Sequence, residues 1–130
     1  EASGDMSYAM KIAHCIGPDF ALYSGNDDIT ISLLSIGGSG VISVYANVMP
    51  DMCQQIVHDF LNGNQAQAVA NHLKYLKLMN DLFMEVNPIP VKAAMNMMGL
   101  NVGPMRLPLC EMSEEHSRAL HATLQEAGLL

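Results

Sequence analysis

The run Gly37-Gly38-Ser39-Gly40-Val41-Ile42-Ser43-Val44-Tyr45-Ala46-Asn47-Val48 constrains the fold more than any other stretch. Glycines turn the chain, a short β-branched and apolar segment follows without alternation, and an asparagine loop opens at its far end. Continuous apolar strands are buried on both faces, as they are in parallel sheets. Phe20-Ala21-Leu22-Tyr23-Ser24, bounded by Pro18 and Gly25, has the same character. The two expected strands, 20–24 and 40–46, are separated by a stretch long enough for one short helix over 29–36, closed by Gly37-Gly38. Before them, Asp5 is placed to cap a helix over 6–16 that Gly17-Pro18 terminates. After them, Pro50 suits the first turn of a helix over 51–61 that ends at Asn62-Gly63. The order α, β, α, β, α with short connections means parallel strands joined by crossover helices.

Two parallel architectures compete, the doubly wound open sheet and the closed eightfold barrel. Neither strand is followed by GxGxxG or GxxxxGK[ST], so the phosphate-binding signatures of nucleotide folds are absent and the barrel gains weight. In a barrel the chemistry gathers at the C-terminal ends of the strands, which puts Gly25-Asn26-Asp27 and Ala46-Asn47 on one rim. From Asn64 onward the pattern changes to helices. Residues 65–83 carry Ala66, Val69, Leu73, Leu76, Asn80 and Phe83 at spacings of three and four, which reads as an amphipathic stripe. Asn87-Pro88-Ile89-Pro90 interrupts it, with Asn87 as the expected cap of a helix over 91–98. Ser113 starts a last helix reaching Ala127 and stopped by Gly128. The expectation is two segments, 1–63 with the last strands and helices of a barrel and 64–130 as a helical C-terminal domain.

Composition excludes several functions. Six Lys plus Arg against thirteen Asp plus Glu leave a net charge of -7, which argues against a nucleic-acid partner. Charged or polar residues interrupt every apolar run before the roughly 18 residues a membrane span needs, so no membrane is expected. Cys15, Cys53 and Cys110 are odd in number and widely spaced, which suggests neither a disulfide framework nor a zinc cluster and fits a reducing, cytoplasmic setting. At 130 residues the chain is also shorter than the roughly 250 that close an α/β barrel. Beginning at Glu1-Ala2-Ser3-Gly4-Asp5, a strand end passing into a helix, it reads as part of something longer.

Four segments carry a resemblance: Glu1-Ala2-Ser3-Gly4-Asp5, Tyr23-Ser24-Gly25-Asn26-Asp27, Gly40-Val41-Ile42-Ser43-Val44 and, most specifically, Asn87-Pro88-Ile89-Pro90-Val91-Lys92. In these the whole chain resembles dihydrodipicolinate synthase, from the end of barrel strand six through strands seven and eight and the C-terminal helices. The resemblance implies the C-terminal portion of a (β/α)8 barrel followed by a three-helix extension. It implies an aldolase-type reaction in which a lysine forms a Schiff base with pyruvate and the enamine attacks aspartate semialdehyde, with no metal or organic cofactor. In the family that lysine immediately precedes the Glu-Ala-[Ser/Thr]-Gly segment, so no catalytic residue is carried over here and the N-terminal part of the barrel is an implied partner. Ile42 matches a strand-eight residue that contacts pyruvate, Gly25 the glycine at the strand-seven rim, and Asn26 with Asp27 the entrance, where many members have Gly-Asp-Asp. A homo-oligomer, dimer or tetramer, is implied as well. N-acetylneuraminate lyase is the nearest alternative, and a non-catalytic fragment that binds a partner chain is the rival of another class. A half-barrel standing alone exposes strand edges and apolar interior, so it is expected to aggregate or oligomerise.

Other residues have plainer readings. Asp27 and Asp28 at a helix start favour capping over acid-base work. His14, His58, His72, His116 and His121 form no metal spacing and read as surface or interface groups. Lys92 follows the barrel rather than ending a strand, and Met95, Met97, Met98 and Met105 read as packing. Tyr45 points either into the site or between helices.

Overall fold

A computed structural model describes all of residues 1–130. Its elements run α1 (Met6–Cys15), β1 (Tyr23–Ser24), α2 (Thr30–Ser35), β2 (Gly40–Val41), a 3-10 turn (Tyr45–Asn47), α3 (Pro50–Leu61), α4 (Gln65–Asp81), α5 (Ile89–Met97) and α6 (Glu114–Glu126). The strands pair in parallel, Tyr23 opposite Gly40 and Ser24 opposite Val41. Glu1 extends this sheet on the other side of β1, since its nitrogen donates to the Tyr23 carbonyl at 2.8 Å and its carbonyl accepts from Gly25 N–H at 2.7 Å. Three neighbouring strand ends therefore lie in the order Glu1, β1, β2.

Caps explain most of the helix limits. The Asp5 carboxylate accepts from the Ser7 and Tyr8 amides, Pro50 occupies the first turn of α3, and the Ser113 hydroxyl accepts from the His116 amide. Two expected caps are not made. Helix α2 begins at Thr30 with no side-chain cap, and α5 begins at Ile89 behind Pro88, so neither Asp27, Asp28 nor Asn87 caps the helix that follows it. The strands are also shorter than the expected 20–24 and 40–46. Regular pairing is confined to two residues each because β2 has a hydrogen-bonded neighbour on one side only, and its chain bends into the 3-10 turn straight after Val44.

One core joins the two halves of the sequence. Tyr45, Val48, Cys53 and Ile56 pack with Tyr75, Leu78, Leu82, Val91, Leu120 and Leu124. Helix α3 lies on α4, and α4 and α5 both lie on α6. A smaller cluster of Ala9, Leu22 and Leu33 holds α1 and α2 against the sheet. Each fully buried leucine here contributes about 1.5–3 kcal/mol relative to exposure.

The face of α4 that is buried is not the expected one. Ala68, His72, Tyr75, Leu78 and Met79 turn inward, whereas Val69 and Phe83 are exposed and Leu73 is 60% exposed. Apolar residues occur on more than one side of this helix, and the packing partner α3 selects the side that carries the two bulkiest contacts, Tyr75 and Met79. The methionine reading holds for Met95, Met97 and Met98, half-buried against the core, whereas Met105 is half-buried outside that cluster. No helix is long and apolar enough to cross a membrane.

Candidate functional site at the strand ends

Side chains alternate across the parallel pair. Leu22, Ser24 and Val41 turn toward the helices, while Tyr23, Gly40 and Ile42 belong to the opposite face. That opposite face is open: Ile42 is 72% exposed and Tyr23 lies beside it, also exposed. Gly40 makes room for the Tyr23 ring, because a Cβ there would come within 3.1 Å of it. An uncovered apolar sheet face is the inner wall of a barrel seen without its other strands.

At the rim, Gly25 is fixed by close approach rather than by an unusual φ. A Cβ on Gly25 would stand 2.4 Å from Ala2 Cβ and 3.2 Å from the Glu1 carbonyl oxygen. Only glycine lets β1 end against the neighbouring strand end. The turn that follows is bound from several directions. Ser24 Oγ donates to the Asn26 carbonyl at 2.8 Å and accepts from the Asn26 amide at 3.2 Å, and Thr30 Oγ1 donates to the Asp27 carbonyl at 2.8 Å. Asn26 itself is half-buried beside Gly4, and its Oδ1 has no hydrogen-bond partner. That oxygen is itself buried in the turn.

Asp27 behaves differently from its neighbours. It is 4% exposed, and its Oδ2 accepts from the Val44 amide at 3.0 Å and the Tyr45 amide at 2.9 Å. It therefore caps, but it caps the turn at the end of β2 rather than its own helix, and it does not open to the entrance. Behind it, His72 from α4 is equally buried, with Nε2 2.9 Å from the Asp28 carbonyl oxygen. The expectation of a surface histidine fails at His72, which was missed as part of the rim. The signal was present only in the phase of the helix, since His72 lies four after Ala68 and three before Tyr75.

Tyr45 lies between elements. Its ring is 1% exposed and packs 6.3 Å from the Tyr75 ring, its hydroxyl donates to Met49 Sδ at 2.8 Å, and burial raises its phenol well above the ordinary range. Burial likewise pushes the Cys53 thiol up. The four lysines are all on helices away from the strand ends. Lys11 is on α1, Lys74 and Lys77 are on α4, and Lys92 on α5 donates to the Pro104 carbonyl at 2.6 Å. No three His, Cys, Asp or Glu side chains converge as metal ligands.

Residues 1–127 match the Dihydrodipicolinate synthetase family. This chain belongs to that family. Among its relatives is the 4-hydroxy-tetrahydrodipicolinate synthase of Clostridium perfringens, 48% identical over 130 residues, which are all of this chain and 45% of that protein. The solved dihydrodipicolinate synthase of Thermotoga maritima is 41% identical, with a TM-score of 0.97 over 100% of this chain and 45% of its own. The chloride-inhibited enzyme of Acinetobacter baumannii, solved in complex with pyruvate, is 34% identical with a TM-score of 0.93 over 99% of this chain and 44% of its own. The chain thus spans about 45% of the length of the curated relatives it matches. Its architecture is the C-terminal portion of a (β/α)8 barrel with the helices that follow, as the first expectation had it.

Proposed function

We propose that this chain forms the C-terminal wall of a class I aldolase-type barrel that condenses pyruvate with aspartate semialdehyde on the way to lysine and diaminopimelate. The observation that carries this reading is the rim itself. Glu1, Gly25-Asn26 and Ile42 stand side by side at three adjacent strand ends, next to an uncovered apolar face, in a family whose Acinetobacter member binds pyruvate. A lysine amine contributed from outside these residues condenses with the pyruvate ketone and releases water. Loss of a methyl proton gives an enamine, whose carbon bonds to the aldehyde carbon of the semialdehyde. The substrate's own amine then displaces the lysine and closes the hydroxylated ring. Within this chain Ile42 supplies an apolar wall for pyruvate, Gly25 lets β1 end against Ala2 and so sets the shape of the rim, and Asn26 stands at the entrance beside it. Asp27 stands behind them.

The exposed face of β1 and β2 needs the remaining strands of a barrel as its partner, and membership of the family supports association of whole barrels into dimers or tetramers. Three free cysteines, none paired, fit a cytoplasmic setting.

The test is to join this chain to the part of the Clostridium perfringens synthase that it does not match, treat the product with pyruvate and borohydride, and weigh it intact. A reduced pyruvate adduct on the joined protein, with none on the 14.1 kDa chain alone, is the expected result. A folded joined protein that gains no mass overturns the reading and leaves the partner-binding alternative in front.

A further inference from the structure

We propose that Asp27 and His72 are positioning residues that act as one joint, setting the separation between the C-terminal ends of β1 and β2 from behind the rim. As far as it concerns the reaction, this rests on the function proposed above. The joint itself rests on the hydrogen bonds.

A parallel strand that stops leaves amides with no ladder partner, and buried amides left bare cost about 1–3 kcal/mol each. At the end of β2 those amides are Val44 and Tyr45, and one oxygen of Asp27 accepts from both. This carboxylate belongs to the turn after β1, so it fastens the end of one strand to the end of the next across 17 residues of sequence. The turn that carries Asp27 must in turn be held. Ser24 and Thr30 bind it from its two flanks, and His72 binds it from α4, 44 residues away, at the Asp28 carbonyl. A carbonyl only accepts, so the His72 Nε2 carries the proton.

His72 stands among Ala68, Tyr75, Leu78 and Met79 on the buried face of α4. A polar ring in such a stripe is unfavourable unless it is bonded, and Asp28 is the one partner it has; its Nδ1 is buried without any. The space enclosed by Asp27, Thr30, Tyr45, Cys53 and His72 is about 10 Å³. That volume holds at most one water, so the cluster binds no substrate. Its effect reaches the site through backbone. Val44 is two residues from Ile42, and Asp27 is two residues from Gly25, so loosening the joint lets the two rim residues drift apart without any substrate contact being removed. Misplacement of this kind lowers kcat more than it changes KM.

The experiment is amide hydrogen exchange, resolved residue by residue, on the joined barrel described above. Val44 and Tyr45 amides exchange slowly in the native protein. His72→Leu, which cannot donate, speeds both at least tenfold while amides of α6 keep their native rates. His72→Gln, whose amide nitrogen reaches the same carbonyl, restores protection. Native rates at Val44 and Tyr45 in His72→Leu overturn the joint, and so does a His72→Gln variant that exchanges as fast as His72→Leu. In the joined barrel, kcat of His72→Leu falls about tenfold with pyruvate KM nearly unchanged, and borohydride trapping still yields the adduct. If the joined barrel with native residues forms no adduct, the functional reading fails alone, and the exchange rates still decide the joint.

Discussion

Gly25→Ala is the sharpest test of how the rim is built. The added Cβ would lie 2.4 Å from Ala2 Cβ, 3.1 Å from Ala2 Cα and 3.2 Å from the Glu1 carbonyl oxygen. Carbon atoms pack at about 3.5–4.0 Å, so the two strand ends must separate by roughly 1 Å. Neither neighbour is the tip of a flexible side chain, so the backbone itself has to move. The Gly25 N–H to Glu1 carbonyl bond, 2.7 Å long, is stretched by the same motion. Overpacking of this kind costs about 1–3 kcal/mol, and a lost backbone hydrogen bond adds about 1 kcal/mol. A loss of about 2–4 kcal/mol is expected.

Urea unfolding followed by far-ultraviolet circular dichroism measures it, read as a lower midpoint at unchanged slope. Two further variants identify the cause. Gly17→Ala has no atom within 4 Å and no left-handed φ, so it should change stability by no more than about 0.5 kcal/mol. Ala2→Gly removes the obstructing methyl group, and in that background Gly25→Ala should lose well under half its single-variant cost. A Gly25→Ala protein as stable as the native one refutes the close-approach argument. A cost that persists undiminished beside Ala2→Gly shows that the backbone of Gly25, not the space around it, sets the requirement.

Thiol titration of the native chain should find two fast cysteines, Cys15 and Cys110, and a third, Cys53, that reacts only on unfolding, because Cys53 is buried and burial raises its pKa. Three equal rates would contradict the core assignment. Glu85 accepts from the His116 ring at 2.8 Å and the Ser113 amide at 3.1 Å, which hold its carboxyl below the 4.5 of the unfolded chain. Its folded form favours ionisation, so its stabilisation is complete above that value and fades as pH falls through the lower folded one. Glu85→Gln should therefore be less stable than native at about pH 7, with the gap narrowing as pH falls below 4.5; a gap constant with pH would sink this. Leu124→Ala, at a fully buried site between α6 and its neighbours, should cost about 2–5 kcal/mol by the same urea assay, whereas a change under about 1 kcal/mol would mean the helix collapses onto the gap.

What the sequence made legible is what local chemistry decides. Gly17-Pro18 ends α1, Asn62-Gly63 ends α3 and Gly128 follows α6 by a residue, while Asp5 and Ser113 cap as their types and positions demand. Strand length was not legible, since a ladder needs partners and periodicity says nothing of how many there are. The buried side of α4 was not legible either. Val69, Leu73 and Phe83 make as good a stripe as Tyr75, Leu78 and Leu82, and only the position of α3 decides between them.

Asp27 shows why the site was harder to read than the fold. Two acids ahead of a helix have an obvious local use as caps, and local use is all that spacing reports. In the structure the nearest unpaired amides are not those of α2 but those of Val44 and Tyr45, brought close by the parallel pairing of β1 with β2. The preference follows from burial. Helix α2 starts at Thr30, whose amide already donates to the Asp27 carbonyl at 3.2 Å, whereas the buried Tyr45 amide finds its acceptor in the Asp27 carboxylate. A carboxylate placed between the two is stabilised more by the pair that water cannot serve. The same reasoning applies to any barrel strand whose terminal amides lie buried beside its neighbour's loop. The first acid in its loop is to be tested against the next strand's terminal amides before it is assigned to its own helix or to a substrate.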